Sequence, residues 1–548
     1  MSGILRDGIE KRSFFHGKDG NRYRQPLSSS SLPLTVSARK RNVPHMRMAS
    51  VLLIAVLVAC NPQSPPPSGF VIVGASVLDG TGADARNVNV VVEGDSIRGL
   101  VDEVPSGYEA FDAGGLTLAP GFIDTHSHGD RQIETHRDAL AAVSQGVTTL
   151  VSGQDGGSMF PLAELFSRLE REPPAVNIAS FAGHGTLRRE VMGEDFRRPA
   201  TEAEVEAMRQ LLTEELVAGA LGLSSGLEYD PGIYSETGEL VVLAREAAAF
   251  GGSYISHLRS EDRDFWNAVD EILTIGRDAN LPVQISHTKL AMRAHFGKAG
   301  ELLQKLDEAR AAGVTVFADI YPYTYWQSTL TVLFPERNFD DRDAASLAIT
   351  EITSPEGMLI PVYRPEPSYA GKTLAEIASI RGTDPETTLM DLIRMAEAAR
   401  ARGETDVESV IATSMEEADI EELMKWEPMS FCSDGALEGA HPRGYGSFPR
   451  VLGRYVRERG VLSLPDAVRK MTSLPATQMG FADRGRIAPG MKADLVLFDS
   501  TTVIDRATPD DPHAISEGIH KVWVNGALVY SNGKTTGAFP GRVLKRGS

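Results

Sequence analysis

Two histidines stand two residues apart in Asp124-Thr125-His126-Ser127-His128, directly after the apolar run Gly121-Phe122-Ile123. Side chains two apart on an extended strand project to the same side, so His126 and His128 can reach one ion together. Three more apolar runs end in residues of the same kind: Tyr254-Ile255-Ser256-His257, Gln284-Ile285-Ser286-His287 and Phe431-Cys432-Ser433-Asp434. Four imidazoles and a carboxylate, arriving at the ends of separate runs, are poorly explained by packing and match the donor chemistry of a divalent metal. Such an ion lowers the pKa of its water toward 7 and polarises a carbonyl, while a nearby carboxylate moves the proton. That is the chemistry of hydrolysis.

The elements that must hold these residues can be traced along the chain. Apolar runs of β type at Gly121–Asp124, Val147–Val151, Val176–Phe181, Leu221–Leu223, Ser253–Ser256, Val283–Ser286, Val314–Ile320, Ser409–Ala412 and Ser430–Ser433 alternate with helical stretches such as Ala203–Ala218, Leu240–Phe250 and Glu301–Ala312. About eight β/α repeats over roughly 360 residues predict an α/β fold, a (β/α)8 barrel of parallel strands, whose catalytic groups sit at the C-terminal strand ends. The barrel is expected over residues 119–480, with an insert at about 326–406 that is too long for one connection and shapes the side-chain pocket. Short β runs at 69–118 and again at 481–548, among them Ala493–Phe498 and Lys521–Gly526, read as two halves of one small β-sandwich joined across the barrel.

The chain has 548 residues, of which 42% are hydrophobic, enough for a large core. Its 74 acidic residues outnumber 55 Lys and Arg, a net charge of −19, and with no basic block this argues against nucleic acid as a partner. Two cysteines, neither in a Cys-x-x-Cys, exclude a disulfide framework and a thiolate zinc ribbon. Residues 1–60 read as a polar, basic extension followed by an export signal. After Met46-Arg47-Met48 comes the apolar run Val51–Ala59, too short to span a bilayer. It closes in Leu57-Val58-Ala59-Cys60, which resembles the lipidation signal of bacterial lipoproteins. The expectation is an exported protein on the periplasmic side, held to a membrane only by a lipid on Cys60, with residues 61–68 as a proline-rich tether. Asn61 supplies no inner-membrane retention signal of the aspartate type.

Longer segments carry a family resemblance. Ala119-Pro120-Gly121-Phe122-Ile123-Asp124 with His126 and His128 resembles the amidohydrolase superfamily. Gly183-His184-Gly185-Thr186-Leu187-Arg188, Gly222-Leu223-Ser224-Ser225-Gly226-Leu227 with Tyr229, and Ile255-Ser256-His257-Leu258-Arg259 are similar to its N-acyl-D-amino-acid deacylase (D-aminoacylase) branch. So are Ser433-Asp434-Gly435, His441-Pro442-Arg443 and Tyr445–Arg450, and the tail Gly485–Leu495 is shared across the superfamily. The resemblance implies hydrolysis of N-acyl-D-amino acids by metal-bound hydroxide, with one or two zinc ions or other divalent metals. His126 and His128 fall on the first-strand ligands, His257 and His287 on those of the fifth and sixth strands. Asp434 falls on the eighth-strand ligand and general acid/base.

One position departs from the branch. Where its second strand usually ends in Gly-Asn-Cys-Gly with a metal-binding Cys, this chain has Gly153-Gln154-Asp155-Gly156. Asp155 is a harder ligand that still supplies charge and can bridge two ions. A carboxylated lysine, used by hydantoinases on the fourth strand, is disfavoured because Gly219–Asp230 holds no lysine. Lys289, Tyr323 and Arg443 match positions that grip the substrate carboxylate, a task that suits an ammonium, a phenol and a guanidinium fork. His184 is either a contact to substrate or oxyanion, or a structural histidine between glycines. The alternatives are a D-amino-acid dipeptidase, a cyclic amidase, or a non-catalytic envelope lipoprotein binding a small carboxylate.

Overall fold

A computed structural model describes residues 69–547. The export signal with Cys60 and the tether lie outside the described residues. Eight parallel strands form the barrel: β1 (Phe122–Asp124), β2 (Val147–Ser152), β3 (Asn177–Ser180), β4 (Gly222–Gly226), β5 (Ser253–His257), β6 (Val283–Ile285), β7 (Val316–Ile320) and β8 (Met429–Phe431). β3 pairs with β2, then resumes at Ala182–Gly183 to pair with β4. From β4 the parallel ladder runs on to β8. The ring closes just beyond the strand ends, where Ser127 bridges Gly435 and the Asp434 N–H donates to the His126 carbonyl at 2.8 Å. The His128 N–H adds a bond to the Gly435 carbonyl at 2.9 Å, so the seam that closes the barrel runs through three chemistry-bearing residues, His126, His128 and Asp434.

Inside, Ile123, Val151, Ala179, Phe181 and Ile255 pack with Met479, Phe481 and Leu544, so the barrel core is filled. Outside, the helices present apolar stripes of the expected period, such as Leu162, Leu165, Phe166 and Leu169 on Leu162–Arg171. The helix Glu202–Ala218 starts at a capping box between Thr201 and Glu204.

The flanks meet as a two-sheet domain. Strand Thr117–Pro120 pairs with Leu495–Phe498 from the far end of the chain, and Ile72, Val90, Leu118, Leu495 and Trp523 share its core. Gly121 turns the chain from this sheet into β1. A Cβ there would lie 2.2 Å from the Thr148 side chain, so only glycine fits.

One strand expectation is corrected. Ser409–Ala412 does not join the barrel. It lies within Glu408–Thr413, antiparallel to Tyr325–Ser328 and Met358–Tyr363 in a sheet belonging to the insert. A buried apolar run looks the same in either sheet; only the partner strand distinguishes them. The sheet that ties the insert together thus spans Tyr325 to Thr413, wider than expected at both ends.

Candidate metal centre and substrate cavity

Three strand ends on the mouth of the barrel deliver their residue at a kink. Asp155, His287 and Asp434 have φ of 54°, 34° and 49°, the left-handed region that side chains other than glycine seldom adopt. Such strain persists only where the surroundings hold it. The His287 N–H donates to Asp319 Oδ1 at 2.5 Å, and Asp319 Oδ2 accepts from Thr125 and Gln284 at 2.7 and 2.6 Å. Asp434 is held by its backbone bond to His126. Asp155 follows Gly153, where a Cβ would meet the Phe181 carbonyl at 2.2 Å, and Gln154 donates to the Thr125 carbonyl at 3.0 Å.

The result is two donor groups that share one carboxylate, with a third, Glu228, His257 and Glu261, overlapping the second at His257. His126, His128, Asp155 and Asp434 form the first; Asp155, His257 and His287 form the second. Asp155 Oδ1 lies 3.4 Å from His126 Nε2 and 3.3 Å from His287 Nε2, while its Oδ2 is 3.3 Å from His128 Nε2. Asp434 Oδ1 is 3.1 Å from His128 Nε2. Both ring nitrogens of the buried His126 lack a hydrogen-bond partner, which fits an imidazole whose partner is an ion. The donor set suits zinc or a similar divalent ion.

Polar groups behind the second group orient its rings. His257 Nε2 meets Glu228 Oε2 at 2.9 Å, and its Nδ1 faces Tyr229 Oη at 3.2 Å and His287 Nε2 at 3.1 Å. His287 Nδ1 lies 2.7 Å from Lys289 Nζ and 3.2 Å from Glu261 Oε1, so its Nε2 is the nitrogen turned toward Asp155. Burial alone would raise Asp155 and Asp434, yet His126 and His287 hold Asp155, and Arg443 and His287 hold Asp434, well below the usual carboxylate range. Against burial, Asp155 and Asp434 push His128 up to about 9. Burial and Lys289 oppose a similar rise at His287, which Asp434, Glu261 and Asp155 carry to about 10.

A cavity of about 440 Å³ opens beside this centre, lined by His257, His287, Lys289, Tyr321, Asp434 and Arg443 among others. It adjoins a wider cleft of about 1310 Å³ that reaches His128 and Asp155. Lys289 Nζ sits 2.7 Å from both oxygens of Glu261. Arg443 Nη1 lies 2.6 Å from Asp434 Oδ2, an ion pair without the alignment of a hydrogen bond. Arg443 Cζ and Lys289 Nζ stand 4.9 and 5.6 Å from the Tyr321 ring centre.

One expected substrate contact is corrected, and His184 takes one of its two readings. Tyr323 is buried against Arg450, 4.6 Å from its ring, and a Cβ on Gly446 would lie 2.4 Å from its hydroxyl, so it points away from the cavity. The tyrosines that line the cavity are Tyr321, just past the end of β7 at Ile320, and Tyr229, whose hydroxyl lies 3.2 Å from His257 Nδ1. His184 is the structural histidine: its Nε2 lies 2.7 Å from Glu239, which also receives Arg188. Sequence reasoning also missed Glu228, Glu261 and Asp319. Only Asp319 left a signal, as a charged residue inside the apolar strand Val316–Ile320.

A closed parallel barrel carrying two His- and carboxylate-rich donor groups at its mouth defines a metal-dependent hydrolase of the amidohydrolase type. The amidohydrolase family model matches residues 109–351 and 366–530, and the chain belongs to that family. It is 39% identical over 504 residues to the N-acyl-D-glutamate deacylase of Alcaligenes xylosoxydans xylosoxydans, covering 87% of this chain and 96% of the relative. The D-aminoacylase of the same organism is 36% identical over 506 residues, covering 88% and 98%. Among solved structures, the N-acyl-D-glutamate deacylase of Bordetella bronchiseptica, complexed with zinc and a phosphonate mimic of the tetrahedral intermediate, is 35% identical with a TM-score of 0.78, covering 87% and 99%.

Proposed function

We propose that this chain is a zinc-dependent deacylase that hydrolyses the amide bond of N-acyl-D-amino acids, releasing a carboxylate and a D-amino acid. The observation that carries this reading is the convergence of the shared-carboxylate metal set with Lys289, Tyr321 and Arg443 on one cavity. Zinc, when bound, supplies an acidified water and a polarised amide carbonyl. Asp434, kept ionised by Arg443, accepts the proton of the attacking water and returns it to the departing nitrogen. Lys289 and Arg443 orient the substrate through its free carboxylate. The D configuration is supported by the names of the relatives, which divide on the side chain: one specifies glutamate, one aspartate and one neither. Turnover of N-acetyl-D- against N-acetyl-L-amino acids by the zinc-loaded enzyme tests the reading. D-selective release supports it; release from the L series alone contradicts it.

The same reading places the enzyme on the periplasmic side of a bacterial envelope, anchored through lipidated Cys60, on the strength of the signal Leu57-Val58-Ala59-Cys60. Labelled fatty acid incorporated by the native chain and lost in Cys60→Ala supports the anchor. Label retained in that variant contradicts it.

A further inference from the structure

We infer that the cavity beside the metal centre accepts an aliphatic side chain and turns away an acidic one, a refinement that rests on the deacylase reading. The insert builds the wall opposite the barrel. Trp326 comes from the strand Tyr325–Ser328, Val332 and Leu333 from the turn Leu330–Leu333, and Ile352 from the helical turn Ala348–Ile352. All four line the cavity and are less than a tenth exposed. They give an amino-acid side chain an apolar surface to cover, and none offers a charge.

The charged groups that share the cavity are unevenly divided. Its lining contains the carboxylates of Glu228, Glu261, Asp262 and Asp434, but only two permanent cations, Lys289 and Arg443. Both cations already face carboxylates, Lys289 at 2.7 Å from Glu261 and Arg443 at 2.6 Å from Asp434, and both are the groups assigned to the substrate's α-carboxylate. Asp262 is fixed in place, accepting from Ser260 Oγ at 2.7 Å and from the Arg263 N–H at 2.5 Å. Arg263, just behind that wall, is tied to the Leu333 carbonyl at 3.2 Å and to Asp262 at 3.5 Å.

A second carboxylate on a substrate side chain in this cavity would therefore meet an apolar wall and two further carboxylates with no further cation in the lining; Arg131 and Arg189 line only the adjoining cleft. A buried charge without a partner is strongly disfavoured. An isobutyl or thioether side chain covers Trp326, Val332, Leu333 and Ile352 and brings no charge that needs a partner.

The test compares kcat/KM of the full-length, zinc-loaded enzyme for N-acetyl-D-leucine, N-acetyl-D-glutamate and N-acetyl-D-lysine. The expected result is a preference for leucine over glutamate of at least about 100-fold, the scale set by an unmet buried polar group. Ile352→Arg, which adds a cation to the wall, is expected to raise the glutamate-to-leucine ratio relative to the native enzyme. Glutamate handled as well as leucine overturns the inference and leaves the deacylase reading standing. Lysine preferred over leucine also overturns it, because the carboxylates and not the apolar wall would then select. Release from none of the three substrates overturns the deacylase reading itself, and the inference with it.

Discussion

The two donor groups of the metal centre are built differently. Around His257 and His287 each remote ring nitrogen already meets a carboxylate, Glu228 at 2.9 Å and Glu261 at 3.2 Å, so both rings are oriented before an ion arrives. Around His126 no such hydrogen bond exists: its Nδ1 has no partner, and the carboxylates within ligand distance of His126 and His128 are the ligand candidates Asp155 and Asp434 themselves. One half is preorganised and the other is completed by what it binds. The difference teaches a division of labour, in which the His257/His287 half holds an ion firmly and the Asp434 half is kept free to exchange protons with substrate.

The largest effect should come from the working half. Asp434→Asn removes the proton acceptor while keeping its shape, and kcat/KM should fall by about 1000-fold or more. Zinc held by the His257/His287 half should be retained on metal analysis; its loss would break the proposed division. Next comes Arg443→Met, expected to lower kcat/KM for a free-carboxylate substrate by about 100-fold, mainly through KM. An N-acyl-D-amino-acid amide, which lacks that carboxylate, should lose much less.

Removing the support behind the preorganised half is a smaller change. Glu228→Ala should weaken the tighter zinc by roughly 10- to 100-fold in a chelator competition, with little effect on the weaker ion. Equal weakening of both ions would erase the comparison.

The smallest effect is on pH dependence. In the metal-free protein His128 and His287 titrate near 9 and 10 instead of 6.5. Their pairing with carboxylates therefore stabilises the metal-free fold fully below about pH 6.5 and is lost as pH rises through 9 and 10. Zinc needs these imidazoles neutral, so its binding should release protons and its stabilising effect should grow from pH 6 to 9. Calorimetry in buffers of different ionisation enthalpy reads the proton count. Zinc uptake with no proton release would contradict it.

Much of this centre was legible in the chain because its ligands terminate apolar runs. His126, His257, His287 and Asp434 each follow a strand, and a strand end in a barrel has one destination. Asp155 was legible only by its place after the second run. The supporting layer was not, since Glu228 and Glu261 sit in loops whose course depends on the whole fold. Tyr323 was expected from its match to the family's carboxylate-gripping position, whereas the ring that lines the cavity from this segment is that of Tyr321. Ser409–Ala412 was misassigned because a buried strand does not name its partner.

The central claim is that Asp155 is the single carboxylate joining both halves. Zinc stoichiometry and site occupancy, measured by metal analysis and anomalous diffraction on the native enzyme and Asp155→Ala, test it directly. Two ions in the native enzyme, with Asp155 between them, and at most one in the variant are the predicted result. Two ions bound by Asp155→Ala with native affinity would contradict it.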